Sequence, residues 1–349
     1  MRVARASVWR PRFWLACQKR PEGVEHTRRN PFRTPLPNPP LEGEGEDGAF
    51  LRKALVLLAQ QLVNGLSLGS LYALFALGFT LIFGVLGVIN LSHGAIFMVG
   101  AYAGVEAISR FGLPLWLALP FAFVVSGVFG LVIDVLVLRP LRNRNAPHLI
   151  PMIATIGIGI ALNNTAQGLF GAANLRFPSG TIPTETLEFA GVGLTALELA
   201  IILLSFALMA VLIFVIRKTQ TGRALRAIAE SPKAAYLVGI NVQGLFMLTS
   251  FVAAGLGGIA GVLIGLYSNA IFPLMGQPMM QKGVAVIILG GMGDIRGALL
   301  AGMFLGFAEV LSVAYIGSTM RDAIAFGLLF IILLVRPKGL FGTTNERKV

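Results

Sequence analysis

Few side chains in this sequence could do chemistry, and their surroundings decide which chemistry it would be. Glu309 ends the pattern Gly302-x-x-x-Gly306-x-x-Glu309, inside apolar sequence. On a helix these three positions share one face. Ionisable groups within a membrane face the bundle interior or water, so this carboxylate either ties helices together or lines a gated pathway. Lys282 lies among Pro273, Gln277, Pro278 and Gln281, as at the mouth of a broken or re-entrant segment. Asn90, Ser92 and His93 interrupt another apolar stretch and imply irregular backbone there, either a structural turn or a cavity lining. Asn90, His93 and Glu309 are therefore the candidate pathway residues. Asp134, close to Arg139, reads as an interfacial charge. Catalytic constellations are missing. No Gly-x-x-x-x-Gly-Lys-Ser/Thr phosphate loop occurs, so the chain is not expected to hydrolyse ATP itself. No His-Glu-x-x-His pair or Cys/His cluster offers a metal site. Of the three histidines, His26 is near the N-terminus, His148 is in a basic loop, and His93 has no partner visible in the sequence. Neither an enzyme nor a cofactor is expected.

A second constellation lies in a polar stretch, Thr221-Gly-Arg-Ala-Leu-Arg-Ala-Ile-Ala-Glu-Ser-Pro-Lys-Ala-Ala-Tyr-Leu-Val-Gly-Ile-Asn241. Ser231 suits an N-cap, Pro232 the first helical position and Gly239 a C-terminal stop. Those marks define a helix of about two turns, roughly 10 Å long, with another short helix before it. Ala234 and Ala235 give it a small, smooth face that could sit deep in a groove of another protein. The alternative is a plain connector whose basic residues only fix topology.

The elements that must hold these residues are set by composition. Hydrophobic residues make up 56% of the 349 and charged ones 13%, against about 25% charged in an ordinary globular chain. The cleanest apolar run, Leu199 to Ile216, is interrupted only by Ser205, and near 20 apolar residues are what a bilayer core of about 30 Å requires. Similar runs lie near 54–84, 94–109, 113–138, 149–170, 243–267, 272–292, 298–316 and 321–336. The 54–89 stretch reads as one long tilted helix or two helices broken at Asn64-Gly65. Nothing alternates like a barrel strand. The expected fold is an all-α polytopic transmembrane helical bundle of eight to ten spans, surrounded by membrane lipid. Glycine is abundant, 42 residues, with Gly257, Gly261 and Gly265 spaced by four, as are Gly100 and Gly104. Small residues at that spacing let helix backbones approach closely.

Charge gives orientation. Arg139, Arg142 and Arg144, then Arg217, Lys218, Arg223, Arg226 and Lys233, then Arg336 and Lys338, follow three of the runs, whereas the 171–195 loop carries only Arg176. The positive-inside rule places the three basic groups and the C-terminus in the cytoplasm, and the 171–195 loop outside. The net charge of +12 is thus largely a topology signal, and no nucleic-acid partner is expected because no folded basic surface is present. Residues 1–50 differ from the rest. They hold nine Lys or Arg, the single cysteine Cys17, and a Pro- and acid-rich stretch. This composition reads as a disordered tail, and a start codon placed too early, with translation beginning near Leu51, would explain it.

The polar stretch at 221–241 resembles the Glu-Ala-Ala-x-x-x-Gly coupling loop of bacterial ABC importer permeases. Ala234, Ala235 and Gly239 match in spacing, while Lys233 stands where the usual Glu would be, so any charge contact made by that Glu is absent or supplied by Glu230. Two further segments, Gly87-Val-Ile-Asn-Leu-Ser-His-Gly-Ala-Ile-Phe-Met-Val-Gly-Ala-Tyr102 and Ile288-Leu-Gly-Gly-Met-Gly-Asp-Ile-Arg-Gly-Ala298, join Gly65-Leu-Ser-Leu-Gly-Ser-Leu-Tyr-Ala-Leu74. Together they resemble the permeases of the branched-chain amino-acid ABC transporter family, of the shorter, first-permease type. The resemblance covers about 51–345, and implies one permease domain over 51–349. It implies import of Leu, Ile and Val, or of urea or a short amide, by ATP-driven alternating access. The implied partners are two ATPase subunits, a second related permease and a periplasmic substrate-binding protein, and the implied location is the bacterial inner membrane. An ion-coupled secondary transporter or channel, needing no ATPase, is the alternative of a different class.

Overall fold

A computed structural model describes residues 46–340 apart from 148, 179, 182–184, 190 and 338. The expectations for Cys17, His26 and His148 lie outside the described residues, as does the 1–50 tail except for 46–50, which already belong to the first helix. In chain order the elements are α1 (Glu46–Leu86), α2 (His93–Ser109), α3 (Leu115–Ile133), a π-turn (Asp134–Leu138), α4 (Arg139–Asn143) and α5 (Leu149–Phe170). A hairpin of β1 (Thr186–Phe189) and β2 (Val192–Thr195) follows, then α6 (Ala196–Lys218), α7 (Gln220–Glu230), α8 (Pro232–Leu237) and α9 (Val242–Ser268). The last elements are α10 (Gly276–Gly290), α11 (Ile295–Tyr315) and α12 (Arg321–Val335).

Each apolar run read from the sequence is a helix, because in lipid a helix satisfies its own backbone polar groups. Seven helices among the described residues are long and apolar enough to cross a bilayer, fewer than the eight to ten expected. The difference lies in α2 and α10, which are apolar but only 17 and 15 residues long. The run at 272–292 loses its first part because Ile271 pairs with Leu175 as an isolated bridge and the chain turns at Phe272–Met275 before the helix starts at Gly276. In contrast, α1 is one helix of 41 residues and is not broken at Asn64-Gly65. Gly65 serves close packing instead, since a Cβ there would overlap the Phe307 ring of α11. The apolar part of α1, 36 residues, is about 54 Å long, so part of it must leave a hydrocarbon core of ~30 Å.

Helices α1 and α9 form the centre, with α2 and α3 packed on α9 and α11 on α1. Several crossings bring backbone against backbone: Gly100 on Gly258, Gly94 on Gly276, and Gly306 on Gly69. Any Cβ at these points would overlap the opposing main chain, so the glycines set the spacing of the bundle. Helices α5, α6 and α12 bury little, and present Ile153, Phe214, Phe330 and Leu334 outward. The 171–195 loop is tied to the helices at two points. The Gln60 side chain mimics a strand, donating to Gly193 O at 2.9 Å and accepting from Gly193 N at 2.9 Å. The Leu175–Ile271 bridge closes at 2.8 and 2.9 Å.

Candidate functional site

The charged residues that apolar sequence should exclude converge in one place. Glu309 is completely buried, and three groups from three helices meet it. From α1, the Tyr72 hydroxyl donates to Glu309 Oε2 at 2.6 Å. From α10, Lys282 Nζ donates to Oε1 at 2.6 Å and to the Tyr72 hydroxyl at 2.9 Å. From the first turn of α12, Arg321 pairs with Oε1 through Nε and donates from its guanidinium to the Tyr72 hydroxyl at 3.2 Å. Asp322 lies 3.7 Å from Lys282. The Tyr72 hydroxyl therefore gives one hydrogen and receives two, its full capacity. An ion in a low-dielectric interior costs several kcal/mol unless it is paired and its remaining lone pairs are used. This cluster meets both conditions.

Two cavities meet at this cluster. One, of ≈ 350 Å³, is lined by Tyr72, Lys282, Arg321 and Asp322 together with Phe97, Phe272 and Met279. The second, of ≈ 280 Å³, is lined by Gln61, Asn64, Glu309 and Arg321. Leu68, Tyr267 and Arg321 border both. Glu309 thus joins groups from α1, α10 and α12 to its own helix α11, and it lines one of the cavities. Lys282 is buried within the continuous helix α10 and faces inward.

The other candidate pathway residues sit apart from this cluster. Asn90 is buried, and its Oδ1 accepts from Ser92 N at 3.1 Å and Ser92 Oγ at 2.6 Å, which makes the turn that starts α2. The His93 ring is fully buried, stacked on Phe79 with a 5.6 Å centroid separation and tilted against Phe75 at 4.9 Å. Gly78 and Gly257 close against it. Both residues have the surroundings of packing groups. Asp134 is not an interfacial charge. Its side chain is fully buried, and its partner is Arg142 at 3.4 Å, not Arg139. The π-turn causes this, because its wider winding rotates the following helix relative to a continuous α-helix. Arg142 also lies over the Phe246 ring at 4.2 Å.

The 219–241 segment folds as its punctuation predicts. Thr219 caps α7 through Gly222 N at 3.1 Å, and Ser231 caps α8 through Ala234 N at 3.3 Å with Pro232 in its first turn. Asn241 caps α9. Gly239 takes φ +81°, the left-handed conformation that ends α8. One expectation changes. Ala235 is buried at 2% exposure, seated on the chain itself, so the smooth face shared with Ala234 does not face outward as a pair. What the elbow presents outward is Tyr236, Leu237 and Val238, at 73%, 84% and 75% exposure, with Glu230 and Lys233 beside them. In α7, Leu225 and Ile228 turn inward one helical turn apart.

A multi-pass helical bundle with a buried ion cluster bordering two cavities, and a short-helix elbow outside its spans, is built as a membrane transport protein. The family described as the branched-chain amino acid transport system permease component matches residues 61–333. The high-affinity branched-chain amino acid transport system permease protein LivH of Salmonella typhimurium is 35% identical over 301 residues, 83% of this chain and 97% of that one. The corresponding protein BraD of Pseudomonas aeruginosa is 36% identical with the same coverage. LivM of Salmonella typhimurium, also a permease protein of that system, is 26% identical over 79% of this chain and 69% of its own. The chain belongs to the branched-chain amino acid transport system permease family.

Proposed function

We propose that the chain is the permease subunit of a binding-protein-dependent ABC importer of branched-chain amino acids, working by ATP-driven alternating access. The observation that carries this reading is the elbow. A soluble connector has no reason to present Tyr236, Leu237 and Val238 together to water, whereas contiguous exposed apolar groups mark interaction sites. Two ATPase subunits dock there in the complex, one on each permease. Their closure on ATP moves α7 and α8. Because Leu225, Ile228 and Ala235 are buried in the bundle, that motion tilts α6 and α9 rather than bending the connector. A second, related permease completes the pathway, and a periplasmic binding protein delivers the amino acid on the side of the β1–β2 hairpin. The basic residues flanking α4, α7 and the end of α12 put those segments and the C-terminus in the cytoplasm, in the inner membrane.

The test replaces Leu237 by Asp. This side chain is 84% exposed, so the variant should insert at normal levels, yet lose co-purification of the ATPase and uptake of leucine. The purified chain alone should turn over no ATP. A Leu237→Asp variant that retains its ATPase and transports normally would refute the docking role.

A further inference from the structure

We infer that the cavity beside the Glu309 cluster is a zwitterion site, in which Arg321 and Lys282 receive the carboxylate of an amino acid and Asp322 its ammonium group. The inference rests on the permease reading and adds the residues that hold the cargo.

Charge accounting comes first. Lys282 and Arg321 both lean on a single oxygen of Glu309, Oε1, while Oε2 is taken by Tyr72. Two cations therefore share one buried carboxylate, which leaves the second positive charge to be met by Asp322. Asp322 offsets it only across 3.7 Å, from a side chain 66% exposed. Arg321 is 41% exposed and borders both cavities, so its guanidinium has donors left for an incoming anion. The wall is neutral overall, and its loosest pair is a cation and a partly exposed carboxylate, which matches a neutral molecule that carries both charges close together.

Shape points the same way. Phe97, Phe272 and Met279 line the same cavity as the charged residues, and its ≈ 350 Å³ falls at the lower end of the ~300–1,000 Å³ typical of small-molecule sites. A lining that combines apolar side chains with charges of both signs suits an amino acid with a short branched aliphatic side chain. A fatty acid displacing Asp322 would leave that carboxylate without a partner, and a simple amine on Asp322 would leave a cation of the wall unanswered. Discrimination by a polar group left unpaired is stronger than discrimination by one methylene.

The experiment uses the full transporter, this chain with its second permease and ATPase subunits, in lipid nanodiscs. A leucine bearing a diazirine in its side chain is photolysed there, and the labelled peptides are mapped by mass spectrometry. Label should fall on 272–282, and free leucine should suppress it at least tenfold. Leucinol, lacking the carboxylate, and 4-methylpentanoate, lacking the ammonium, should not compete. Asp322→Asn, which leaves the Glu309 contacts of Tyr72, Lys282 and Arg321 in place, should cut labelling at least tenfold, and Arg321→Gln at least as much. Arg321→Lys should restore part of it. Label that maps elsewhere, no label, or equal labelling in Asp322→Asn would overturn the site. ATP turnover is read in the same preparation. Intact coupling with label elsewhere rejects the site alone, whereas correct label without any ATP coupling rejects the importer reading and keeps the site.

Discussion

Replacing Glu309 by Gln tests whether the buried cluster is held by charge. The amide keeps the volume and an acceptor for the Tyr72 hydroxyl, now at 2.6 Å, but removes the only negative charge within the buried group. Lys282, whose side chain is 11% exposed, is left facing an amide. Removing one partner of a buried pair costs ~3–5 kcal/mol. Arg321 is 41% exposed, so its share is screened toward the small values of surface pairs. That places the expected loss near ~3 kcal/mol, about a hundredfold in the unfolding equilibrium. Reversible denaturant unfolding in lipid nanodiscs would measure it. The decisive comparison is the double variant Glu309→Gln with Lys282→Met, in which Arg321 and Asp322 remain as a balanced pair. A buried ion pair exchanged for neutral groups is often close to neutral in stability, so the double variant should recover most of the loss. A single variant as stable as the native chain, or a double variant no better than the single, would refute the reasoning. Uptake by the stable double variant then separates the two roles of Glu309, since scaffolding alone would leave transport intact.

The glycines give a paired contrast. Gly306→Val should destabilise the bundle by ~1–3 kcal/mol or more, because its Cβ overlaps the Gly69 backbone. Gly157→Ala, with nothing within 4 Å of the added carbon, should be neutral or stabilising by ~0.5–1 kcal/mol, both read in the same unfolding assay. At the elbow, Gly239→Val puts a β-branched residue at φ +81° and should cost ~1–2 kcal/mol locally, seen as faster hydrogen exchange over 232–240. Ala235→Trp should unseat α8 from the bundle and expose the elbow to protease, since the alanine it replaces is 2% exposed. Unchanged protease resistance would show that the bundle can absorb the larger ring.

The spans were legible because apolar runs in a membrane admit one solution for the backbone, and cap residues such as Ser231, Asn241 and Gly239 carry their geometry with them. Glu309 was legible for the same reason: a carboxylate inside an apolar run needs an explanation wherever it falls. Its partners were not. Tyr72, Lys282 and Arg321 lie 237, 27 and 12 positions away in the chain, and no helical periodicity connects them. One signal was available for Tyr72, since a buried phenol in an apolar helix requires a hydrogen-bond partner. Asn90 and His93 could not be resolved in the sequence, because a polar residue that makes a turn and one that lines a path interrupt apolar sequence alike. The partner of Asp134 was missed because a π-turn changes the angular register without leaving a mark in residue type. Ala235 was misjudged because two adjacent alanines on so short a helix point about 100° apart, so one smooth face cannot hold both.

The contacts between glycine backbones have a mechanical consequence. Where Gly100 meets Gly258, Gly94 meets Gly276, and Gly306 meets Gly69, no side chain lies between the helices to change rotamer and take up strain. Ordinary packed interfaces yield a little at every residue, and a displacement fades as it crosses them. Main chain pressed on main chain has no such compliance. If the proposed ATPase pushes on α7 and α8, the motion would meet α9 and pass to α2 at Gly100–Gly258 and on to α10 at Gly94–Gly276 with little compliance in between. The glycines that let the bundle close up also make it stiff, so under the proposed mechanism a displacement at one end of these helices would be carried to the other rather than absorbed by side chains between them.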